Sequence, residues 1–279
     1  MRQNTEYGLS RKQSRVGVGT MKQYFHGATQ KAPYFEGWYL KLQTKEGKAL
    51  ALIPALHIDG KGRRSASLQV ITESRSRWLA YAAVDFRASE NQFSVRMGPN
   101  RFCDLRLTMN IERSECSIQG NLAFGTFKRL RSDIMGPFRL ISDMECAHGV
   151  ISMAHRLEGI LNINGECYDF SDGTGYIETD RGHSFPNAYL WTQCTWHEDQ
   201  PACLMLSVAT IPLAKTRFTG CICAVIHRGK EHRLATYCGA RVEEWSRDGA
   251  VIRQGKYRLE VEVPGESSQL LRAPVLGSM

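Results

Sequence analysis

Two segments of the sequence combine carboxylates with aromatic side chains at spacings that suit acid chemistry. The first, PYFEGWYLK at residues 33–41, carries Glu36 among aromatic residues. In an extended strand Glu36 and Trp38 share one face, and Tyr39 and Lys41 share the other. A carboxylate on a face that carries Trp must be paired, hydrogen-bonded or protonated when it is buried. If protonated, Glu36 is the general acid that an alkene needs; if paired with Lys or Arg at a strand edge, it is structural.

The second segment, Gly173–Cys194, groups Glu178, Asp180, Arg181 and His183 before an aromatic strand. Glu178 and Asp180 share one face of an extended chain, and like charges there raise the pKa of one carboxyl, which gives an acid beside a base. The structural alternative is that Arg181 neutralises both carboxylates. The residues themselves leave both interpretations open.

Metal and cofactor sites are not expected. His148 and His155 follow Glu145 and are an odd number of residues apart, so on one straight strand they face opposite sides. Each is expected to be a satisfied hydrogen-bonding group. The nine cysteines contain no CxxC pair, and no second ligand pair stands at zinc spacing from Cys221-x-Cys223. Phosphate-binding, dinucleotide-binding, zinc-protease and nucleophile-elbow motifs are also missing from the sequence.

The elements that must hold these segments are strands. Apolar residues alternate with polar ones in short runs rich in β-branched and aromatic residues, with turn signals between them. Asn164-Gly165 is the strongest hairpin signal, and helical periodicity is sparse. The pattern predicts an all-β fold of barrels or a sandwich. Charge, Gly and Pro interrupt it near residues 129–136, which predicts two β units at residues 24–135 and 136–279.

The amino-acid composition excludes several classes of protein. The chain has 279 residues, 42% of them hydrophobic and 23% charged, which excludes disorder and membrane-spanning helices. The net charge of +8 includes five basic residues against one acidic residue within residues 1–23, which are predicted to form a disordered leader, with Met21 as an alternative start. Without a basic run interleaved with aromatics, no nucleic-acid partner is expected. The leader lacks a secretory signal, and the cysteines suit reduced thiols, so a cytoplasmic location is predicted.

The motifs resemble those of a known family. The segments PYFEGWYLKL, GYIETDRGHSFPNAYLWTQC and GCICAVIHRGKEHRLATY are similar, in this order, to bacterial members of the tocopherol cyclase-like family, over most of residues 33–274. The resemblance implies two lipocalin-like antiparallel β-barrel halves packed together. It also implies protonation of a prenyl double bond and capture of the tertiary cation by a phenol oxygen, or by water in hydratases, with no cofactor. Relatives are expected to continue into further strands beyond this C-terminus.

A tertiary cation needs a dry, aromatic-lined pocket and a carboxylic acid of raised pKa. On the matched motifs, the resemblance predicts Glu178 or Glu36 as the proton donor, with Asp180 as its partner. Arg181 stands where the family usually has Trp, a departure that puts cyclisation in question. The predicted substrate-binding residues are Trp38, Tyr39, Lys41, Arg181, Tyr189, Trp191 and Gln193.

Three functions remain open from the sequence. The first is acid-catalysed cyclisation or hydration of a prenylated aromatic or other isoprenoid in a hydrophobic β-barrel pocket. The second is a lipocalin-like carrier of a prenyl quinol, isoprenoid or fatty acid, with Arg181 pairing an anionic head group. The third is a family member whose carboxylates form structural ion pairs. Transient contact with a membrane surface stays open because prenyl compounds reside in bilayers, and the oligomeric state stays open too.

Overall fold

The computed structural model describes residues 24–141, 144–197, 201–213, 216–262, 269 and 271. The predicted leader and the end of the C-terminal half therefore lie outside the described residues. The strands are β1 Tyr34–Gln43, β2 Ala49–Ile58, β3 Arg64–Thr72, β4 Ser76–Ala82, β5 Phe86–Ala88, β6 Ser94–Met97, β7 Asn100–Cys103, β8 Arg106–Arg113, β9 Cys116–Phe124, β10 Cys146–Ile163, β11 Glu166–Asp169, β12 Gly173–Gly182, β13 Tyr189–His197, β14 Pro201–Leu213, β15 Thr216–His227, β16 Lys230–Ala235, β17 Arg241–Ser246, β18 Gly249–Gln254 and β19 Tyr257–Glu262. Short 3₁₀ turns span Ala83–Asp85, Gly136–Leu140 and Thr236–Cys238.

The prediction of an all-β, antiparallel fold with little helix is confirmed. One sheet has twelve strands in the order β4-β3-β2-β1-β12-β10-β9-β8-β7-β6-β5, with β11 beside β10. This sheet curls so that its two ends meet through side chains. Asn100 donates from Nδ2 to the Tyr81 hydroxyl over 3.2 Å, and Arg113 donates to the Ala80 carbonyl over 3.0 Å. The edges β4 and β5 do not pair, so the sheet is curled like a lipocalin sheet without closing into a barrel.

Large side chains fill the inside of the curled sheet. Trp38, Phe93, Phe102 and Phe170 are fully buried there, together with aliphatic residues from nearly every strand. The alternation of β1 accounts for this, since Trp38, Leu40 and Leu42 all point inward. The inside of this sheet is therefore packed protein core and leaves little space for a ligand.

Two smaller sheets lie outside the curled one, in layers. The first has the order β13-β14-β15-β16 and the second the order β17-β18-β19. A second core, which includes Met135, Met153, Tyr176 and Met205, joins the outer face of the large sheet to the four-stranded sheet. A third core lies on the other side of the four-stranded sheet, against the three-stranded one.

The hydrogen bonding of the large sheet crosses the predicted domain boundary at residues 135 and 136. Strand β10 pairs with β9, and β12 pairs with β1, although both follow that boundary in the sequence. The interrupted rhythm near residues 129–136 corresponds to the connection between β9 and β10. The division into two domains stays a prediction, and the first strand outside the large sheet begins at Tyr189.

The predicted hairpin is confirmed at Asn164-Gly165. Strand β10 ends at Ile163 and β11 begins at Glu166, and both turn residues have positive φ, 53° for Asn164 and 86° for Gly165. Asn and Gly are the residues that adopt these angles most readily. Within the described part of the chain, no helix has the length and hydropathy to cross a membrane.

Candidate active site

A cavity of about 430 Å³ lies between the outer face of the large sheet and the four-stranded sheet. Phe35, Gly37 and Tyr39 of β1 line it, whereas Trp38 faces the packed core on the other side of the same strand. The cavity is thus not the barrel interior that the sequence suggested, because large side chains already fill that interior. Most of the wall is apolar. The polar lining residues are His57, Ser67, Gln69, Glu145, Cys146, His148, Glu178, Asp180 and Ser207.

A histidine links two carboxylates at one end of the cavity. His148 Nδ1 lies 2.7 Å from Oδ1 of Asp180, in a hydrogen bond. Its Nε2 lies 3.2 Å from Oε2 of Glu178, an ion-pair contact whose geometry falls short of a hydrogen bond. Strand pairing brings the residues together, since His148 of β10 is opposite Asp180 of β12. Glu178 and Asp180 share a strand face, and it is His148, rather than Arg181, that lies between them.

Burial and charge act on this cluster in opposite directions. Burial alone would lower the pKa of His148, but the neighbouring carboxylates of Asp180 and Glu178 outweigh it and raise that pKa well above its usual value. Burial raises the pKa of the Glu178 carboxyl, and the nearby His148 opposes this shift. His148 and Glu178 thus retain protons to higher pH than isolated groups of their types would.

Glu178 also touches an aromatic wall. Its Oε2 accepts hydrogen bonds from the Tyr176 hydroxyl and from Trp191 Nε1, the latter over 3.2 Å. The ring of Tyr39 stands edge-on to that of Trp191, with centroids 5.0 Å apart. Tyr39 is directly opposite Glu178 in the pairing of β1 with β12. The carboxyl that is most deeply buried in the cluster is therefore surrounded by π systems and hydroxyl or indole donors.

The cluster fits a shared proton better than a metal ion. Donor atoms of His148, Glu178 and Asp180 lie within 4.8 Å of one another, a spacing that a metal ion could use. However, the two ring nitrogens of His148 face different carboxylates. An ion bound to one nitrogen would replace the contact that this nitrogen makes with its carboxylate, whereas a proton at each nitrogen serves both carboxylates in the observed geometry.

The structure separates Glu36 from this cluster. Glu36 is fully buried on the opposite face of β1, where both its oxygens are occupied. Its Oε2 accepts from the backbone N–H groups of His26 and Gly27 and from the Tyr34 hydroxyl, each over 2.9 Å, and its Oε1 lies 3.0 Å from His26 Nδ1. The thickness of the sheet thus lies between Glu36 and the cavity, a position that favours Glu178 over Glu36 as the predicted proton donor.

Other predicted residues divide between the cavity and its surroundings. Tyr39, Tyr189 and Trp191 line the cavity. Trp38 does not, because it belongs to the core inside the large sheet. Arg181 is opposite Glu36 in the pairing of β1 with β12 and is not a lining residue. The structure therefore places Trp38 and Arg181 outside the cavity, and their substrate contacts stay predictions.

Lys41 and Gln193 connect two sheets beside the cavity. Lys41 Nζ donates to the Gln193 carbonyl over 3.3 Å, which ties β1 to β13. Burial lowers the pKa of Lys41, and Cys194 opposes that shift. Neither Lys41 nor Gln193 is a lining residue, so their observed contact joins the two sheets and their binding role stays a prediction.

Sequence reasoning missed the position of His148 between the two carboxylates and the polar groups His57, Ser67 and Gln69 in the cavity. The spacing of His148 and His155 correctly indicated opposite faces: His148 is paired with Asp180 and His155 with Gly175. The signal that was missing is the pairing of β10 with β12, which joins residues far apart in the sequence. His57, Ser67 and Gln69 lie in strands whose alternation gave no chemical motif.

Comparisons with known proteins agree with this architecture. The crystal structure of a protein assigned as AttH (NE1406) from Nitrosomonas europaea superimposes with a TM-score of 0.52 at 15% identity, covering 85% of this chain and 82% of that one. At this identity the similarity concerns the fold alone. Kievitone hydratase from Nectria haematococca gives a TM-score of 0.46 at 10% identity, with 92% and 85% of the two chains covered, which is too low to argue from.

The assignment to a family comes from the sequence. No curated protein matches this chain. The model of the tocopherol cyclase-like family matches residues 104–274, which is more than half of the chain and includes β10, β12 and β13 with the acid cluster and Trp191. The chain therefore belongs to the tocopherol cyclase-like family.

Proposed function

We propose that this protein is an acid catalyst that protonates a carbon–carbon double bond of a hydrophobic, prenylated substrate, after which a phenol hydroxyl or water captures the cation. The observation that carries the proposal is the buried Glu178 carboxyl, joined through His148 to Asp180 at the wall of an aromatic cavity. Membership of the tocopherol cyclase-like family supports the same class of reaction.

The proposed reaction has two steps. In the first, the proton of the Glu178 carboxyl moves to one carbon of the double bond; the π electrons form the new C–H bond and leave a tertiary cation on the other carbon. In the second, a phenol or water oxygen gives a lone pair to the cation and forms a C–O bond, and its proton returns to the Glu178 carboxylate. Cyclisation is then an isomerisation, hydration adds one water, and neither consumes an oxidant or a reductant.

The exposure of the three side chains supports a proton path from solvent. The side chain of Asp180 is 27% exposed, that of His148 9% and that of Glu178 4%. Asp180 can therefore exchange protons with water, whereas Glu178 faces the apolar cavity. Because burial raises the pKa of Glu178, its carboxyl keeps a proton at higher pH than an ordinary glutamate does.

The aromatic wall supports the cation. Tyr39 and Trp191 line the cavity beside Glu178, and a cation over such ring faces gains about 0.5–2 kcal/mol per ring. The family's usual Trp is replaced by Arg181, but Arg181 is not a lining residue and is opposite Glu36 in the pairing of β1 with β12. The aromatic ring that is missing at this position is therefore outside the proposed cation site.

The carrier function would use the same cavity. Arg181 was expected to pair with an anionic head group, and its position outside the lining supports the catalyst over the carrier. What distinguishes the two functions is turnover, because a carrier binds the same ligand and releases it unchanged.

Deuterium incorporation tests the proposal. The protein is incubated in D₂O with hydroquinones that bear prenyl chains of increasing length, and products are analysed by mass spectrometry. The wild type is expected to give a cyclised or hydrated product with one deuterium on carbon. Glu178→Gln removes the proton donor with little change in volume, and the rate is expected to fall by about 100-fold or more.

Glu158→Gln is the control, since this carboxyl lies on β10, outside the lining residues, and pairs with Arg156. Its labelling rate is expected to equal that of the wild type. A wild-type rate in folded Glu178→Gln would refute the acid assignment. Binding of the hydroquinones by the wild type with no labelled product would favour the carrier.

A further inference from the structure

A second polar group lies in the same cavity, away from the acid cluster. His57 of β2 and Ser67 of β3 face each other, with Nε2 2.7 Å from the serine Oγ, and Gln69 is the next residue of β3 on that face. All three are buried, yet they line the cavity. We call His57, Ser67 and Gln69 the neutral polar site. The proposed acid chemistry does not use them.

Strand pairing fixes the separation of the two polar sites. Asp180 is opposite Gly37, Gly37 is opposite Ala55, and Ala55 is opposite Ser67. Three steps between neighbouring strands span about 14 Å between the backbones of Asp180 and Ser67, and Glu178 lies two residues from Asp180 on β12. The positions between them carry the smallest side chains, and both Gly37 and Ala55 line the cavity. A ligand can therefore lie across the strands with one end at each site, over a floor without large side chains.

The charges of the lining select the kind of ligand end. Among the described residues that line the cavity none is Lys or Arg, whereas three are carboxylic acids, Glu145, Glu178 and Asp180. An anionic group brought into this apolar space would lose hydration and meet these carboxyl groups, and His148, the lining histidine of raised pKa, already lies between two of them. A hydroxyl or carbonyl oxygen needs only hydrogen bonds, and Ser67 and the Gln69 amide each offer a donor and an acceptor.

We infer that the neutral polar site binds an uncharged oxygen, a hydroxyl or a carbonyl, at the end of the substrate remote from the double bond that Glu178 protonates. The inference rests on the proposed function, because it takes this cavity as the substrate site. It narrows the ligand to neutral molecules whose oxygen and reacting double bond are separated by a distance on the order of 10 Å, after hydrogen-bond contact at each end. Fatty acids, one of the ligand classes open from the sequence, are then disfavoured.

Three ligands with the same carbon chain test this inference by binding alone: farnesol, farnesoic acid and the hydrocarbon farnesene. Trp78 and Trp191 line the cavity, so quenching of tryptophan fluorescence reports occupancy. Above neutral pH the wild type is expected to bind farnesol more tightly than farnesoate. Ser67→Ala and Gln69→Leu are each expected to weaken farnesol binding by about three- to tenfold, the effect of one hydrogen bond, and to leave farnesene binding unchanged.

Ser117→Ala is the matched control, because Ser117 lies on β9, outside the lining residues. Its affinity for farnesol is expected to match the wild type. Tighter binding of farnesoate than of farnesol would overturn the inference. Equal losses for farnesol and farnesene, or reduced thermal stability with unchanged affinity, would also overturn it and assign the neutral polar site a structural role.

The binding experiment and the deuterium experiment fail independently. The wild type could give labelled product yet bind farnesol and farnesene equally well, which would refute the neutral polar site and support the acid chemistry. It could instead prefer farnesol to farnesene yet never incorporate deuterium, which would support the neutral polar site and refute the acid chemistry.

Discussion

The histidine that the acid cluster does not use, His155, makes the stability of this protein sensitive to acid. His155 is buried between the rings of Phe124 and Phe127, at centroid distances of 4.8 and 4.6 Å. The Ser152 hydroxyl donates to the Ala154 carbonyl, so its oxygen accepts from Nδ1–H of His155, over 3.0 Å. Nε2 has no hydrogen-bond partner among the described residues. The native state thus holds a neutral imidazole and has no group placed to stabilise a second ring proton.

Burial lowers the pKa of His155 from 6.5 to about 3. The unfolded chain takes up the proton near pH 6.5, whereas the folded protein does so only near pH 3. Between these values the unfolded state binds more protons, so the free energy of unfolding falls as the pH falls. Each pH unit costs about 1.4 kcal/mol, which amounts to about 2 kcal/mol lost between pH 6.5 and pH 5 from this one side chain.

The variant His155→Gln isolates this contribution because it removes the titration and keeps an amide N–H for Ser152. The free energy of unfolding of the variant relative to the wild type is measured in urea at about pH 7.5 and at pH 5. This difference is expected to shift by about 2 kcal/mol in favour of the variant at pH 5. His183→Gln, at an exposed position, is the control and should give no such change. If the difference for His155→Gln is the same at both pH values, the ring is charged or hydrated in the folded state and the reasoning fails.

Two further predictions separate structural from catalytic residues. Glu36→Gln is expected to lower the free energy of unfolding by about 2–3 kcal/mol in urea melts, because four donors lose a charged acceptor, while the folded variant retains deuterium labelling. Lost labelling at unchanged stability would return Glu36 to the chemistry. Gly175→Ala is expected to cost about 1–3 kcal/mol by thermal melting, since its Cβ would lie 2.3 Å from Nε2 of His155; Gly60→Ala, with open space around it, is the control and should melt like the wild type.

Alternation along single strands was readable from the sequence. It assigned Glu36 and Trp38 to one face of β1 and Tyr39 to the other, and it assigned Glu178 and Asp180 to a common face of β12. The same alternation also separates Arg181 from both carboxylates, which argues against the ion pairs suggested for it. Local periodicity therefore determined which side chains share a face of each strand.

What the sequence could not provide is the pairing of strands far apart in the chain. Whether Glu36 could act together with Glu178 depended on which residue of β1 lies opposite Glu178. The register places Tyr39 there, and Glu36 is on the other face of β1. The role of His148 depended on β10 lying beside β12. The location of the cavity depended on the curl of the large sheet, which arises from the packing of its whole interior rather than from any one segment.

The position of the cavity between two sheets separates the parts of the protein that confer stability from those that shape the ligand space. The interior of the curled sheet is a complete core with its own aromatic packing. Ser207, Ala209 and Ile211 of β14 form part of the opposite wall. Mutations there can reshape the cavity while the acid cluster and the curled core stay as they are. New substrate preferences can therefore evolve, or be engineered, at these three positions of β14 without substitutions in the curled core.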